Sequence, residues 1–419
     1  MAGHNTPIQP YPEPLRGLEQ GTFTHYTITV RFKNIIQQVL KDNQFPPEIV
    51  SNLQALQEEI PDAPLRALLD EDAPDWSDWM RYLTPYLNIA SADNPWLQAP
   101  WFFVETYFYR RILEATGYFQ AGPGFQRDPY IHQKREGIEA GQDSIRSTAN
   151  KLNQWLADQG RDNRGVIIDL LMMAVWGNQA DLSMWPAGGK EAGPNHQEGQ
   201  QQTHLLVDQT VGLGDYLCSL QAQAARVDIL ADNAGLELAQ DLFLMDFLLS
   251  SKLAQVAYIH LKPHPTFVSD AMIKDVLNTI SSFREDQDIE LRAFGQRLQS
   301  HLDTQRLRLT EHYFWTSPLS GWEMPPALKK EIGRSDLFIS KGDANYRRLL
   351  GDRHWPHTTP LEKILRYMPA PLATLRVLKS EVAAGHPPGQ PEEMADKDPE
   401  WLTDGQWAVI QFVKDTSPS

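Results

Sequence analysis

Four short β-prone runs, each closing on polar or glycine punctuation, narrow the possible architectures of this chain sharply. They are "HLLVDQT" from His204, "RVDILADNAG" from Arg226, "QVAYIHLKPHPTFVSD" from Gln255 and "SDLFISKGDANY" from Ser335. Helical segments are predicted between and after them, over Leu236–Ser251, Ala271–Phe283 and Asn345–Gly351. Strand, loop and helix in alternation predict a mostly parallel sheet covered by helices, because parallel neighbours need a crossover. Ligands of such sheets bind outside the carboxyl ends of the strands. Three of those ends here carry acids, amides or bases.

Ahead of these runs the texture differs. From about Arg31 to Leu182 apolar residues recur at helical spacing, as in "RFKNIIQQVLKDN", "ETYFYRRILEA" and "STANKLNQWLADQ". Proline clusters such as "QFPPEI" punctuate the region. The Gly-rich polar stretch Pro186–Gln201 reads as a surface loop. The expected organisation is a mainly helical region over 1–185, a loop over 186–203, and an α/β domain over 204–419 that holds the site. "GQWAVIQFV" near the end reads as a last strand.

With 54 acidic against 38 basic residues, the formal charge is −16. That balance argues against nucleic-acid binding, which needs a basic face, and against docking on anionic membranes. The apolar stretches "VIIDLLMMAVW" and "FLMDFLLSSKLAQVAYIHL" are interrupted by Asp169, Asp246 and Lys252, so neither reads as a membrane span. A single cysteine, Cys218, excludes an internal disulfide and reads as a small buried apolar residue. The expectation is a cytoplasmic protein with no obligate protein partner.

The chemistry lies in "ILADNAGLE". Asp232 and Asn233 sit where a strand ends, and Glu237 falls in the first turn of the next helix. Each has a bland reading as an Asx turn or a helix cap. Asp270, at the end of the next β-prone run, changes the balance. Two carboxylates and an amide are hard oxygen donors that together suit Mg²⁺ or Mn²⁺, with water filling the remaining positions. Glu237, Gln240 and Asp241 share a helical face that looks either to solvent or into a site.

In "ISKGDANYRRLLGDRHW", Gly342 permits a tight turn before a helix, whose free N–H groups and dipole favour an anion. Lys341, Arg347 and Arg348 add charge nearby, although the Walker spacing is absent. In "TLRVLKSEV", Arg376 and Lys379 would share one face if helical. "VWGNQADLS" reads as a turn. In "HLKPH", Pro263 makes a zinc-binding helix out of His260 and His264 improbable.

Taken in order, "WFFVETYFYRRI", "VWGNQADLS", "ILADNAGLEL", "PTFVSDAM", "FWTSPLSGWEMP", "ISKGDANYRRLLGDRHW" and "LRVLKSEV" resemble the damage-control phosphatase family, subfamily III, over nearly the whole chain. This is a metal-dependent family long filed as a domain of unknown function. Members of that subfamily have also been described as protein-glutamate carboxyl methyltransferases. The resemblance implies a helical N-terminal region packed on a Rossmann-like, three-layer α/β domain. It implies a divalent cation (Mn²⁺, Mg²⁺, Co²⁺ or Ni²⁺) on Asp232, Asn233 and Asp270, with Glu237 beside the ligand pocket. Substrate contacts would come from Asp343, Ala344, Asn345, Tyr346 and Arg347. The subfamily's R-T-x-K motif falls on Arg376 and Lys379, which the resemblance makes phosphate-binding, with Val377 in place of the threonine.

The activity so implied is hydrolysis of a small phosphorylated metabolite, such as fructose 1-phosphate or fructose 6-phosphate. Asp232, Asn233, Asp270 and Asp343 would form the catalytic set, with Asp343 or Glu237 orienting the attacking water or a sugar hydroxyl. S-adenosylmethionine-dependent carboxyl methylation is the alternative.

Overall fold

The computed structural model describes residues 6–87, 94–177 and 204–415. The predicted loop 186–203 and most of the "VWGNQADLS" turn lie outside the described residues. Seven strands are described: β1 (Leu205–Asp208), β2 (Arg226–Leu230), β3 (Val256–Leu261), β4 (Leu307–Glu311), β5 (Leu337–Lys341), β6 (Leu372–Val377) and β7 (Ala408–Val413). They form one sheet in the order β1-β7-β6-β5-β2-β3-β4. Every neighbouring pair is parallel except β6 with β7, which runs antiparallel in register from Leu372–Val413 to Val377–Ala408. The architecture is α/β, and the strand order reverses where β2 meets β5, the crevice position at which open α/β sheets take ligands.

The two faces of the sheet are built differently, because side chains alternate along each strand. One face is aliphatic: Val227, Ile229, Ile259, Ile339, Ala373 and Leu375 pack against the helices Gln142–Ala157, Asn163–Trp176 and Leu236–Ser250. The other face carries Asp228, His260, Ser340, Thr374, Arg376 and Gln411, all buried. Leu230, Phe338 and Leu372 on that side join a second cluster with the N-terminal helices Phe32–Asp42, Pro47–Glu59 and Trp101–Thr116. Buried polar groups need partners, and Asp228 takes Arg226 at 2.6 Å and His260 Nε2 at 2.9 Å, whereas the Ser340 hydroxyl has none among the described residues.

The Leu236–Ser250 helix is buried all round, so its polar stripe faces protein rather than solvent. Among the described residues, no helix is long and apolar enough to cross a membrane.

Candidate functional site

Asp232 and Asp270 come together by backbone pairing. The Ala271 amide donates to the Asp232 carbonyl at 2.8 Å, and the Ala234 amide to the Ser269 carbonyl at 2.7 Å. The result is an isolated antiparallel bridge between Asn233 and Asp270 just beyond the parallel ends of β2 and β3. Asn233 Nδ2 donates to Asp232 Oδ2 at 2.9 Å and to Glu237 Oε2 at 2.8 Å, while its Oδ1 accepts from Ser269 Oγ at 2.5 Å. Gly342, at the end of β5, has φ +80° and ψ 173°, a region open essentially to glycine alone. A Cβ there would overlap the Asp232 carboxylate.

Charge is unevenly met in this half of the site. Lys262 Nζ lies 3.1 Å from Asp270 Oδ2 and donates to the Ala231 carbonyl at 3.0 Å and Asn345 Oδ1 at 3.1 Å. Lys341 is fully buried and donates to Asp241 at 2.6 Å, Ala174 O at 2.7 Å and Glu237 at 3.1 Å. It therefore positions Glu237 instead of offering free charge to a ligand. Four carboxylates, those of Asp232, Glu237, Asp241 and Asp270, thus face two lysines, an excess of two negative charges when all are ionised. Burial pushes the Asp232 carboxyl well above the usual carboxylate range, and Glu237 and Asp270 push it further, against Lys262 and Lys379. Burial likewise raises Asp270, with Lys262 opposing. Asp241 is pushed up to about 7 by burial against the pull of Lys341.

That excess is what a divalent cation would relieve, so the residues present fit one. Among the described residues no cluster of three or more His, Cys, Asp or Glu is set to hold a metal. The expected donors, Asp232, Asn233 and Asp270, are two carboxylates and one amide, and the structure turns the amide nitrogen of Asn233 toward Asp232 and Glu237. Such a set leaves positions for water or substrate oxygen, as Mg²⁺-like ions prefer.

The other half of the site is organised around Asp343, the first residue of the helix Asp343–Leu350. Its Oδ1 accepts from Arg376 Nε at 2.8 Å, from Ser380 Oγ at 3.1 Å and from the Lys379 amide at 3.2 Å. Burial alone would raise its pKa, but Arg376 and Arg347 outweigh that and hold the carboxylate below its ordinary range. The Arg376–Lys379 segment is the end of β6 and the turn after it, not a helix. Lys379 is exposed there and, among the described residues, makes no ion pair.

Several other predicted substrate contacts have side chains engaged within the protein. The Asn345 amide joins strand ends, donating to Ala231 O at 3.2 Å and Lys341 O at 2.8 Å. Tyr346 lies under Arg376, whose guanidinium sits 4.3 Å from the ring centre. Arg347 is clamped by Glu105 at 2.5 Å and Asp352 at 2.7 Å, over the Trp101 ring at 3.5 Å. Arg376 also reaches the Val382 and Ser380 carbonyls. Ala344 is half-buried at the first helical turn and offers backbone only. Sequence reasoning missed Lys262 and Ser269. A basic residue one position past the end of β3 is the signal that would have found the first.

The reversal of strand order between β2 and β5, with buried acids gathered beyond β2 and β3 and the exposed Lys379 beyond β6, is the place where an open α/β sheet takes its ligand. The chain belongs to the damage-control phosphatase family: the model of the damage-control phosphatase ARMT1-like domain matches residues 27–394. It is therefore a phosphatase of the metabolite-repair class, in a family that is generally metal-dependent. It is 32% identical to rat damage-control phosphatase ARMT1, over 96% of this chain and 98% of that protein. The human protein of the same name is 31% identical, again over 96% and 98%. A DUF89-family protein from Pyrococcus horikoshii superposes with a TM-score of 0.47 at 14% identity, covering 93% of this chain and 98% of that one.

Proposed function

We propose that the protein hydrolyses small phosphorylated sugars, with hexose phosphates such as fructose 1-phosphate or fructose 6-phosphate as the substrate class, using one divalent cation. The observation that carries this reading is a pairing of opposites: the carboxylates of Asp232, Glu237, Asp241 and Asp270 outnumber Lys262 and Lys341, and the exposed Lys379 lies within electrostatic reach of Asp232. Asp232 and Asp270 would hold the cation together with the side-chain oxygen of Asn233. A bound cation supplies Lewis-acid polarisation of a phosphoryl oxygen and an acidified water.

The remaining work falls to the chain's own groups. Lys379 meets the phosphate of the substrate. The first-turn amides at Ala344 and Asn345 face the anion with the positive end of the helix behind them. Asp343, ionised and fixed by Arg376, holds the Lys379 backbone in place and orients a sugar hydroxyl. Glu237, held by Lys341 and Asn233, accepts a proton at its carboxylate from the attacking water. Arg347 and Arg376 support these groups through Asp343.

The test is a panel of sugar phosphates and a generic aryl phosphate, assayed with Mg²⁺, Mn²⁺, Co²⁺ and Ni²⁺ in turn. Hydrolysis that needs a divalent ion and prefers hexose phosphates is the expected result. Calorimetric binding of S-adenosylmethionine, without hydrolysis of any phosphate ester, would replace this reading with methyl transfer.

A further inference from the structure

The segment that delivers Asp270 is conformationally expensive. Phe267 and Val268 both have positive φ, 45° and 67°. The Ser269 amide donates back to the Phe267 carbonyl at 2.8 Å. A hydrogen bond from residue i+2 to residue i around a centre at that φ is the classical γ-turn, the rare and strained form. A β-branched residue at positive φ is a true outlier, and such strain persists only where the surroundings over-determine it.

The surroundings are visible. Beyond the turn, Ser269 O and Ala271 N are hydrogen-bonded to the end of β2, and Ser269 Oγ donates to Asn233. On the turn itself, the Phe267 ring packs 5.0 Å from Tyr109 and 6.1 Å from Phe102, measured between ring centres. Both partners are buried on the Trp101–Thr116 helix. The N-terminal helical region therefore presses on a turn that leads directly to two groups of the acidic cradle.

We infer that Phe267 is a positioning residue: wedged against Phe102 and Tyr109, it holds the strained turn at Val268 closed and so keeps Ser269 and Asp270 against the Asp232–Asn233 strand end. The inference rests on the reading that Asp232, Asn233 and Asp270 hold a divalent cation. Removing the wedge frees the turn to relax, and Asp270 swings away from its partners. Glycine occupies positive φ without strain, so glycine at 268 removes the drive to open.

The experiment uses the full chain stripped of metal, with Mn²⁺ affinity read by calorimetry and amide exchange read at Ala234, Ser269 and Ala271. Phe267→Ala should weaken Mn²⁺ binding about tenfold, the size of a lost supporting interaction, and speed exchange at those three amides. Val268→Gly alone should bind as the native protein does. The double variant should recover most of the lost affinity and protection. Simple loss of packing predicts the opposite, because glycine adds flexibility to an already loosened loop. A double variant as weak as Phe267→Ala, or a Phe267→Ala protein with native affinity and exchange, would overturn the inference. If the native protein binds no divalent ion, the cation reading fails instead, and the exchange data alone then decide whether Phe267 holds the turn.

Discussion

The two sides of the crevice use the same residue types and reach opposite charge states. Around Asp232, burial and two neighbouring carboxylates leave the acid short of positive charge, with its pKa raised. Around Asp343, an equally enclosed acid is bracketed by arginine and backbone N–H groups, and its pKa is lowered. Burial acts in the same direction on both, so the placement of Arg376 makes the difference. On the proposed reading, one side is completed by a cation that arrives with the solvent. The other already has its own, and presents Lys379 to an anion.

The sharpest break would come from Asp232→Ala. Divalent-dependent hydrolysis of an aryl phosphate should fall on the order of 10³-fold, as when a preorganised electrostatic centre is lost. Retained activity at equal folding would dissolve the distinction between the two sides. Next in size is Gly342→Ala, which places a side chain against the Asp232 carboxylate and adds about 1–3 kcal/mol of backbone strain. Turnover should drop roughly 10²-fold, the scale of a misplacement near 1 Å, with a lower unfolding temperature seen by calorimetry. Lys379→Ala acts on the other side alone. It should raise KM for sugar phosphates about tenfold, the value of one hydrogen bond to a charged group, and leave the metal requirement as it was. An unchanged KM would remove Lys379 from the phosphate site.

The same contrast has a pH signature. Asp241 has a folded pKa near 7 against 3.8 unfolded, so the native state binds more protons in between. Its contribution therefore lowers stability as pH rises from about 4 to about 7. Asp343, with a lowered folded pKa, stabilises above 3.8 and loses that contribution as pH falls below it. Thermal unfolding of metal-free protein across this range should show the first slope flatten in Asp241→Asn and the second in Asp343→Asn. Identical slopes in both variants would contradict the assignment. The smallest effect is expected of Val377→Thr. Val377 is buried in β6 opposite Ala408, and a hydroxyl there should cost about 1 kcal/mol in chemical denaturation, with KM unchanged.

Much of this fold could be read from period and punctuation. The runs that became β2, β3 and β5 end where polar residues take over, and "AVIQFV" became β7. The insertion of β7 between β1 and β6, antiparallel to one and parallel to the other, could not be read, because strand order has no local signal. Asp232, Asn233 and Asp270 were legible as candidates from the residue types at strand ends, and the Asn233–Asp270 bridge places them together. The basic residues were less legible. Arginine fits a phosphate and a carboxylate equally well, and Arg347 finds its carboxylate on Glu105, 242 residues away. Lys341 reads as a charge available beside the helix start, yet it lies under a helix whose acids are also buried.

The grip of Glu105 and Asp352 on Arg347, over the Trp101 ring, bears on how the gene can be cut. A fragment beginning near residue 204 would still encode all seven described strands of the sheet. It would lack the Gln142–Ala157 and Asn163–Trp176 helices of one face and the N-terminal helices of the other, and the Arg347 guanidinium would keep only Asp352 of its two carboxylates. Attempts to excise a minimal enzyme, or to graft this sheet onto another scaffold, should carry the Trp101–Thr116 segment along with it.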